Sequence, residues 1–204
     1  ISDDGLGMNE EEIIKYLSDI AFSSAEEFAE KFKDLDDRAE IIGHFGLGFY
    51  SAFMVAEKVT VVSRSYKGET AIQWESEGKT EYTLSEATRD RRGSDIILHI
   101  SEEGEDYLDE AKIQGLLTTY CKFMPIPIVF GENTIEEGEG EEKTTVTTPR
   151  VINNSSPLWT KSPSELKDED YLSFYRELYP MSEDPLFWIH LNVDYPFHLE
   201  GILY

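Results

Sequence analysis

Gly43-His44-Phe45-Gly46-Leu47-Gly48-Phe49-Tyr50-Ser51-Ala52-Phe53, read together with Ile1-Ser2-Asp3-Asp4-Gly5-Leu6-Gly7-Met8 some forty residues earlier, decides the fold of this chain. In the later stretch Gly43, Gly46 and Gly48 alternate with bulky apolar residues. Such a loop can turn tightly and bring its backbone against a ligand while neighbouring side chains stay packed. Several N–H groups can then point at one anion. The apolar run Phe49 to Ala56 predicts a helix whose N-terminus would stand beside bound phosphates. No Lys-Ser or Lys-Thr follows the last glycine, so the pattern is not a Walker loop, and no βαβ unit frames it as a dinucleotide fingerprint. The alternative for such a loop is a tight structural turn.

Ile1-Ser2-Asp3 reads as the end of a strand. An aspartate there, beside Gly5 and Gly7, can accept a hydrogen bond from a ligand amine while the glycines let a flat base lie against backbone. The alternative is an Asp-Gly turn, in which the carboxylate only caps the reversal.

The pairing of the two stretches favours the ligand reading. Asp3-x-Gly5-x-Gly7, a helical insert, and then Gly43-x-Phe45-Gly46-x-Gly48-Phe49-Tyr50-Ser51 resembles the GHKL ATPases, which share the Bergerat ATP-binding fold. Ile42 through Ala56 is similar to the ninety-kilodalton heat-shock chaperones, and Ile20 to Phe28 to their bacterial branch. Gyrase, mismatch-repair and histidine-kinase relatives share the glycines without the Phe-Tyr-Ser-Ala continuation. Pro157-Leu158-Trp159-Thr160-Lys161 and Asp170-Tyr171 through Phe174-Tyr175 resemble the start of the chaperone middle domain.

The resemblance implies an α+β chain: a Bergerat (GHKL) ATP-binding α/β sandwich lacking its first segment, followed by the start of an α/β middle domain. Residues 1–130 would be the partial ATP-binding domain, with a lid at about 9–42. Residues 131–150 would be an acidic flexible linker or a hairpin excursion, and 151–204 the last strand of the ATP domain and the start of the middle domain. The implied ligand is ATP with magnesium. The implied nucleotide-binding residues are Asp3, Gly5, Gly7, Met8, Leu17, Gly43, His44, Phe45, Gly46, Leu47, Gly48, Phe49 and Ser94. Among them Ser94 would lie at the base of the adenine site or serve as a turn residue, and Phe49 would pack on the ribose or anchor the loop in the core.

His44 stands where many relatives carry glutamine, without a matched nucleophile, and is read as positioning the loop. Tyr16 and Phe22 depart from the asparagine and lysine of several family members. The family's general-base glutamate and magnesium-binding asparagine lie upstream of the Asp-x-Gly-x-Gly motif, and its middle-domain arginine lies further on. No catalytic residue is therefore assigned within the chain, which opens at Ile1 and reads as a piece of a longer polypeptide. In the intact protein the resemblance implies ATP-driven closure of a homodimeric clamp on unfolded client proteins. The alternatives are another GHKL ATPase such as a histidine kinase, or a nucleotide-binding fragment without turnover.

Composition is consistent with these limits. The 204 residues are 40% hydrophobic, ample for a buried core in one large or two small domains. Forty-two acidic against 18 basic residues give a formal charge of -24, which repels a nucleic-acid backbone. The acid concentrates in Glu10 to Glu12, Glu102 to Glu110 and Glu132 to Glu142, as solvated faces and a linker would. No apolar run reaches the roughly 20 residues that span a bilayer, so neither nucleic acid nor membrane is expected as a partner. The single cysteine, Cys121, excludes an intramolecular disulfide, suits a reducing cytoplasmic setting and is read as inert core. His99, His190 and His198 lack partners at metal-ligand spacing, so any metal would be magnesium carried by ATP.

Periodicity supplies the elements. A capping box at Asn9 and Glu12 predicts a helix from Glu10 to Ala21, with Ala25 to Phe32 a second amphipathic piece and Lys33 to Glu40 charged. Strands are expected at Lys58 to Ser65, Thr70 to Glu75, Thr80 to Leu84 and Asp95 to Ile100, as an antiparallel meander. A helix over Tyr107 to Phe123 would turn Leu108, Ala111, Leu116, Leu117 and Tyr120 inward, and a short strand would cover Pro125 to Phe130. Val151 to Asn153 should return as a strand, Pro163 to Tyr179 should contain a helix, and Phe187 to Asp194 and Leu199 to Tyr204 should be extended.

Overall fold

The computed structural model describes residues 1–18, 47–68, 70–137, 144–195 and 199–204, which form two compact units, Ile1–Ile113 and Gln114–Tyr204. The expected pieces between Asp19 and Gly46, most of the lid interval among them, lie outside the described residues.

A four-stranded antiparallel sheet organises the first unit: β1 (Ala56–Arg64), β2 (Ala71–Ser76), β3 (Tyr82–Ala87) and β4 (Gly93–Ile100), in the order β3-β2-β1-β4. Only β1 to β3 form a meander. β4 departs from that expectation by pairing with the other edge of β1, Val59 opposite Leu98 and Val61 opposite Ile96. The reason lies in β1, whose run Val59-Thr60-Val61 is buried and needs neighbours on both edges. Beyond β4 the chain start adds a further extended segment. An isolated antiparallel bridge joins Ser2 to Asp95, the Ile96 N–H donates to the Ile1 carbonyl at 2.7 Å, and the Asp3 N–H donates to the Ser94 carbonyl at 2.9 Å.

One face of the sheet is covered by α1 (Glu10–Ile13), capped by Asn9 and Glu12 through a reciprocal box. The hydrogen bonding then widens into a π-helical turn, Ile14–Ser18, where one α-helix was expected. Ile13 and Leu17, four residues apart, enter a core with Ala56, Val59, Val61, Ile72 and Trp74. The segment after Leu47 is a 3₁₀ helix, Gly48–Met54, and not the expected helix to Ala56. It ends early because Ala56 already pairs with Ile100, while the Ser101 N–H and hydroxyl both hold the Val55 carbonyl.

The expected helix over Tyr107 to Phe123 is divided. Glu102–Leu108 is 3₁₀, Asp109 is extended and its carboxylate accepts the Lys112 N–H at 2.8 Å, and α2 runs Glu110–Tyr120. An aspartate that satisfies a first-turn N–H starts a helix, so Leu108 falls outside α2. Leu108 is 70% and Tyr120 77% exposed, Ala111 is also exposed, and only Leu116 and Leu117 are half-buried.

In the second unit β5 (Val129–Glu137) and β6 (Thr144–Val151) pair antiparallel. β5 begins four residues later than expected because Pro125 and Pro127 carry no N–H. The Asn153 side chain instead ties this stretch down, donating to the carbonyls of Met124 and Ile126 and accepting from the Ile128 N–H. Cys121 is half-buried, not core. α3 (Asp168–Leu178) buries Tyr171 and Phe174, the latter in an aromatic cluster with Phe123 and Trp159. β7 (Ile189–Val193) and β8 (Leu199–Leu203) form a two-stranded antiparallel pair. His190 is held between the Tyr171 hydroxyl at 2.9 Å and the Trp159 carbonyl at 3.1 Å, and burial pushes the Tyr204 phenol up to about 12.

Candidate nucleotide site

Three side chains form a row across the first unit. The Ser2–Asp95 bridge sets Asp3 opposite Ser94, and β4 sets Ser94 opposite Ser63. Residues directly opposite in neighbouring strands project to the same face, about 5 Å apart at Cβ. That face is the one on which Val59 and Val61 meet the core. Ser63 is fully buried and Ser94 is 7% exposed; their hydroxyl oxygens are 2.9 Å apart.

The first motif folds over this row by backbone contacts. The Asp3 carboxylate accepts the Gly5 N–H through Oδ1 at 2.8 Å, so the turn-capping role considered for this aspartate is present. Among the described residues its Oδ2 has no partner, which leaves one acceptor for a ligand donor. Gly7 has φ +63°, and a methyl there would stand 1.9 Å from the Arg64 carbonyl oxygen. The Tyr66 N–H donates to Leu6, and the Met8 N–H donates to the Ser63 hydroxyl at 2.8 Å. On the other side Gly93, φ +108°, lies so close to Asp3 that an added methyl would be 2.1 Å from its carbonyl oxygen. Only glycine allows both approaches.

Arg89 closes the arrangement. Its guanidinium donates to the carbonyls of Asp3 at 2.8 Å, Arg91 at 2.6 Å and Arg92, and its Nε to Asp95 at 3.0 Å. That hydrogen bond, with a second from Ser2, holds the Asp95 carboxyl below its usual 3.8. The Arg91 side chain reaches Asp4 at 3.3 Å, an exposed pair that adds little.

The structure therefore brings together Asp3, Gly5, Gly7, Met8 and Ser94. Leu17 is buried in the core, where Met8 also packs, and Phe49 is anchored there edge-on to Trp74, 5.7 Å between centroids. The core-anchoring alternative for Phe49 is thus the one its contacts show. Leu47 and Gly48 are exposed at the start of the 3₁₀ helix, and a methyl on Gly48 would meet nothing among the described residues within 4 Å. Gly43, His44, Phe45 and Gly46 lie outside the described residues. His99, weighed as a metal ligand, bonds instead to Thr60 at 3.0 Å.

Sequence reading missed Ser63 and Arg89. Alternation along β1 puts Ser63 on the face of Val59 and Val61, so a small hydroxyl in a buried row was a usable signal. Arg89 lies in the charged run Arg89-Asp90-Arg91-Arg92, which gives none.

A sheet with one helix-covered face thus carries a glycine-framed aspartate beside a buried hydroxyl. A family model described as histidine kinase-, DNA gyrase B- and HSP90-like ATPase matches residues 1–95, and one described as Hsp90 protein matches 131–204. The chain is 57% identical over its whole length to the chaperone protein HtpG of Porphyromonas gingivalis, 55% to that of Bacteroides thetaiotaomicron and 39% to that of Pseudoalteromonas translucida. It covers 29%, 30% and 33% of those proteins. The chain belongs to the Hsp90 family of chaperones, of the bacterial HtpG type.

Proposed function

We propose that this chain carries the adenine-reading part of an ATP-dependent molecular chaperone. The observation that bears most on the proposal is the Asp3–Ser94 pair: among the described residues, a carboxylate oxygen without a partner beside a buried hydroxyl with a single one. Asp3 would accept the exocyclic amine of adenine, and Ser94 would bond the neighbouring ring nitrogen. Gly5 and Gly7 would let the base approach, with Met8 as an apolar contact. Gly43, His44, Phe45, Gly46, Leu47 and Gly48 would hold the phosphates by backbone N–H groups. Magnesium would arrive on the nucleotide, bound chiefly by phosphate oxygens.

In the intact cytoplasmic protein, ATP binding would close a lid at about 9–42 and draw two protomers together around an unfolded client, with hydrolysis resetting the clamp. Residues 1–130 would belong to the ATP domain, 131–150 would form an acidic excursion, and 151–204 would lead into the middle domain. Calorimetric titration with Mg·ATP and with adenosine tests the reading. Binding of both, tighter for ATP, supports it; binding of neither by the full polypeptide carrying this sequence overturns it.

A further inference from the structure

We propose that Arg89 is a positioning residue for the adenine-reading carboxylate: it fixes the Asp3 peptide, and so aims Asp3 Oδ2, without touching the nucleotide itself. The inference rests on the nucleotide reading above. Asp3 lies in an exposed stretch beside a lone bridge, where little packing restrains a side chain. Hydrogen bonds hold it instead. Its N–H donates to the Ser94 carbonyl at 2.9 Å, its Oδ1 accepts the Gly5 N–H at 2.8 Å, and its carbonyl accepts Arg89 Nη2 at 2.8 Å. Among the described residues, Arg89 is what holds that carbonyl. Released from it, the Asp3–Asp4 peptide can rotate and carry away the Gly5 N–H, together with the carboxylate oxygen bonded to it. A carboxylate already fixed in its binding orientation avoids the ordering cost on association.

Arg89 is equipped to hold and not to bind. A guanidinium carries five N–H donors in a planar fork. Here Nε and Nη2 clasp the two carboxylate oxygens of Asp95 at 3.0 and 3.3 Å, Nη2 also donates to the Asp3 carbonyl, and Nη1 serves the carbonyls of Arg91 at 2.6 Å and of Arg92. Every donor is engaged, so none is left for a phosphate. The side chain is only 10% exposed, which limits competition from water. Its own backbone is anchored by Arg64 of β1, whose Nη1 donates to the carbonyls of Arg89 at 2.8 Å and Asp90 at 3.0 Å. Asp95 follows Ser94 directly in β4, so one rigid fork ties Asp3 to the strand that carries the hydroxyl beside it.

The test measures affinity for adenosine and for Mg·ATP, with the melting temperature, in the full polypeptide carrying this sequence, for the parent, Arg89→Met, Asp3→Asn and the two substitutions combined. Arg89→Met is expected to weaken both ligands alike, by about three- to tenfold and by less than Asp3→Asn does, because the carboxylate is displaced and not removed. On the Asp3→Asn background the same change should cost less than about twofold in affinity, while it lowers the melting temperature on both backgrounds. If Arg89→Met does not fold, Arg89→Lys replaces it. Lysine keeps the charge but cannot reproduce the fork, so it should weaken both ligands in the same pattern. Affinities unchanged despite lower melting would make Arg89 a structural staple only. An equal loss with and without the Asp3 carboxylate would mean that it acts elsewhere, and a loss confined to ATP would put its charge on the phosphates. Each of these overturns the proposal while leaving the nucleotide reading intact. A parent protein that binds neither ligand overturns the reading itself, and the inference with it.

Discussion

A methyl group added to Gly7 would stand 1.9 Å from the Arg64 carbonyl oxygen, whereas one added to Gly48 would meet no atom of the described residues within 4 Å. The sequence places both glycines in one pocket, yet among the described residues packing demands only the first. Gly7 and Gly93 let Ile1 to Met8 close against β1 and β4, so the aspartate and its neighbouring hydroxyl are held by packing before any ligand arrives. Gly48 opens an exposed 3₁₀ helix, and among the described residues nothing stands where its methyl would be. Packing requires glycine in the first motif, and the described residues make no such demand at Gly48. Substitutions in the two should therefore separate stability from affinity.

The largest effect is expected at Gly7. Gly7→Ala combines a positive φ with a backbone collision, and should lower unfolding free energy by on the order of 3 kcal/mol or prevent folding. A urea melt near that of the parent would show that the loop can shift without loss, and the contrast with Gly48 would collapse. Asp3→Asn comes next. It should weaken adenosine and ATP alike by about 1–3 kcal/mol, the worth of a charged hydrogen bond, with little change in melting. Equal affinity in calorimetry would remove Asp3 from the site.

Arg89→Met should have a smaller effect with a pH signature. Asp95 is held below its usual 3.8 by Arg89, so its contribution to stability is fully present above pH 3.8 and is lost as pH falls through the depressed value. The difference in unfolding free energy between parent and Arg89→Met should thus shrink on acidification below about 3.8, leaving the part due to the carbonyls of Asp3, Arg91 and Arg92. A gap that does not change with pH would mean Asp95 is incidental to the clamp. Gly48→Ala should change stability by less than about 0.5 kcal/mol, since no described residue obstructs the methyl. It should nonetheless weaken ATP more than adenosine; equal weakening of both would sink the phosphate assignment.

What could be read in the sequence followed the strength of its periodic signals. The places of β1, β2, β4 and β7 were legible to within two residues, and α3 only as a helix somewhere within 163–179. Pairing order was not, because nothing local in Gly93 to Ile100 says that its partner is β1 rather than β3. The helix ends failed where one polar residue overrode periodicity: Asp109 restarts the chain as a cap, and the commitment of Ala56 to β1 truncates the segment after Gly48. For the site, the aspartate, both glycines of the first motif and Ser94 were legible because the spacing of rare residue types is itself information. Ser63 and Arg89 were not singled out, since each acts through a partner distant in sequence, Met8 and Asp3 respectively.

The most direct test of the central claim is a calorimetric comparison of parent and Asp3→Asn titrated with Mg·ATP in the full polypeptide carrying this sequence. The account predicts measurable binding by the parent, weakened about 5- to 150-fold in Asp3→Asn, with both proteins melting alike, on the order expected for one charged hydrogen bond. Identical binding curves for the two proteins would contradict it.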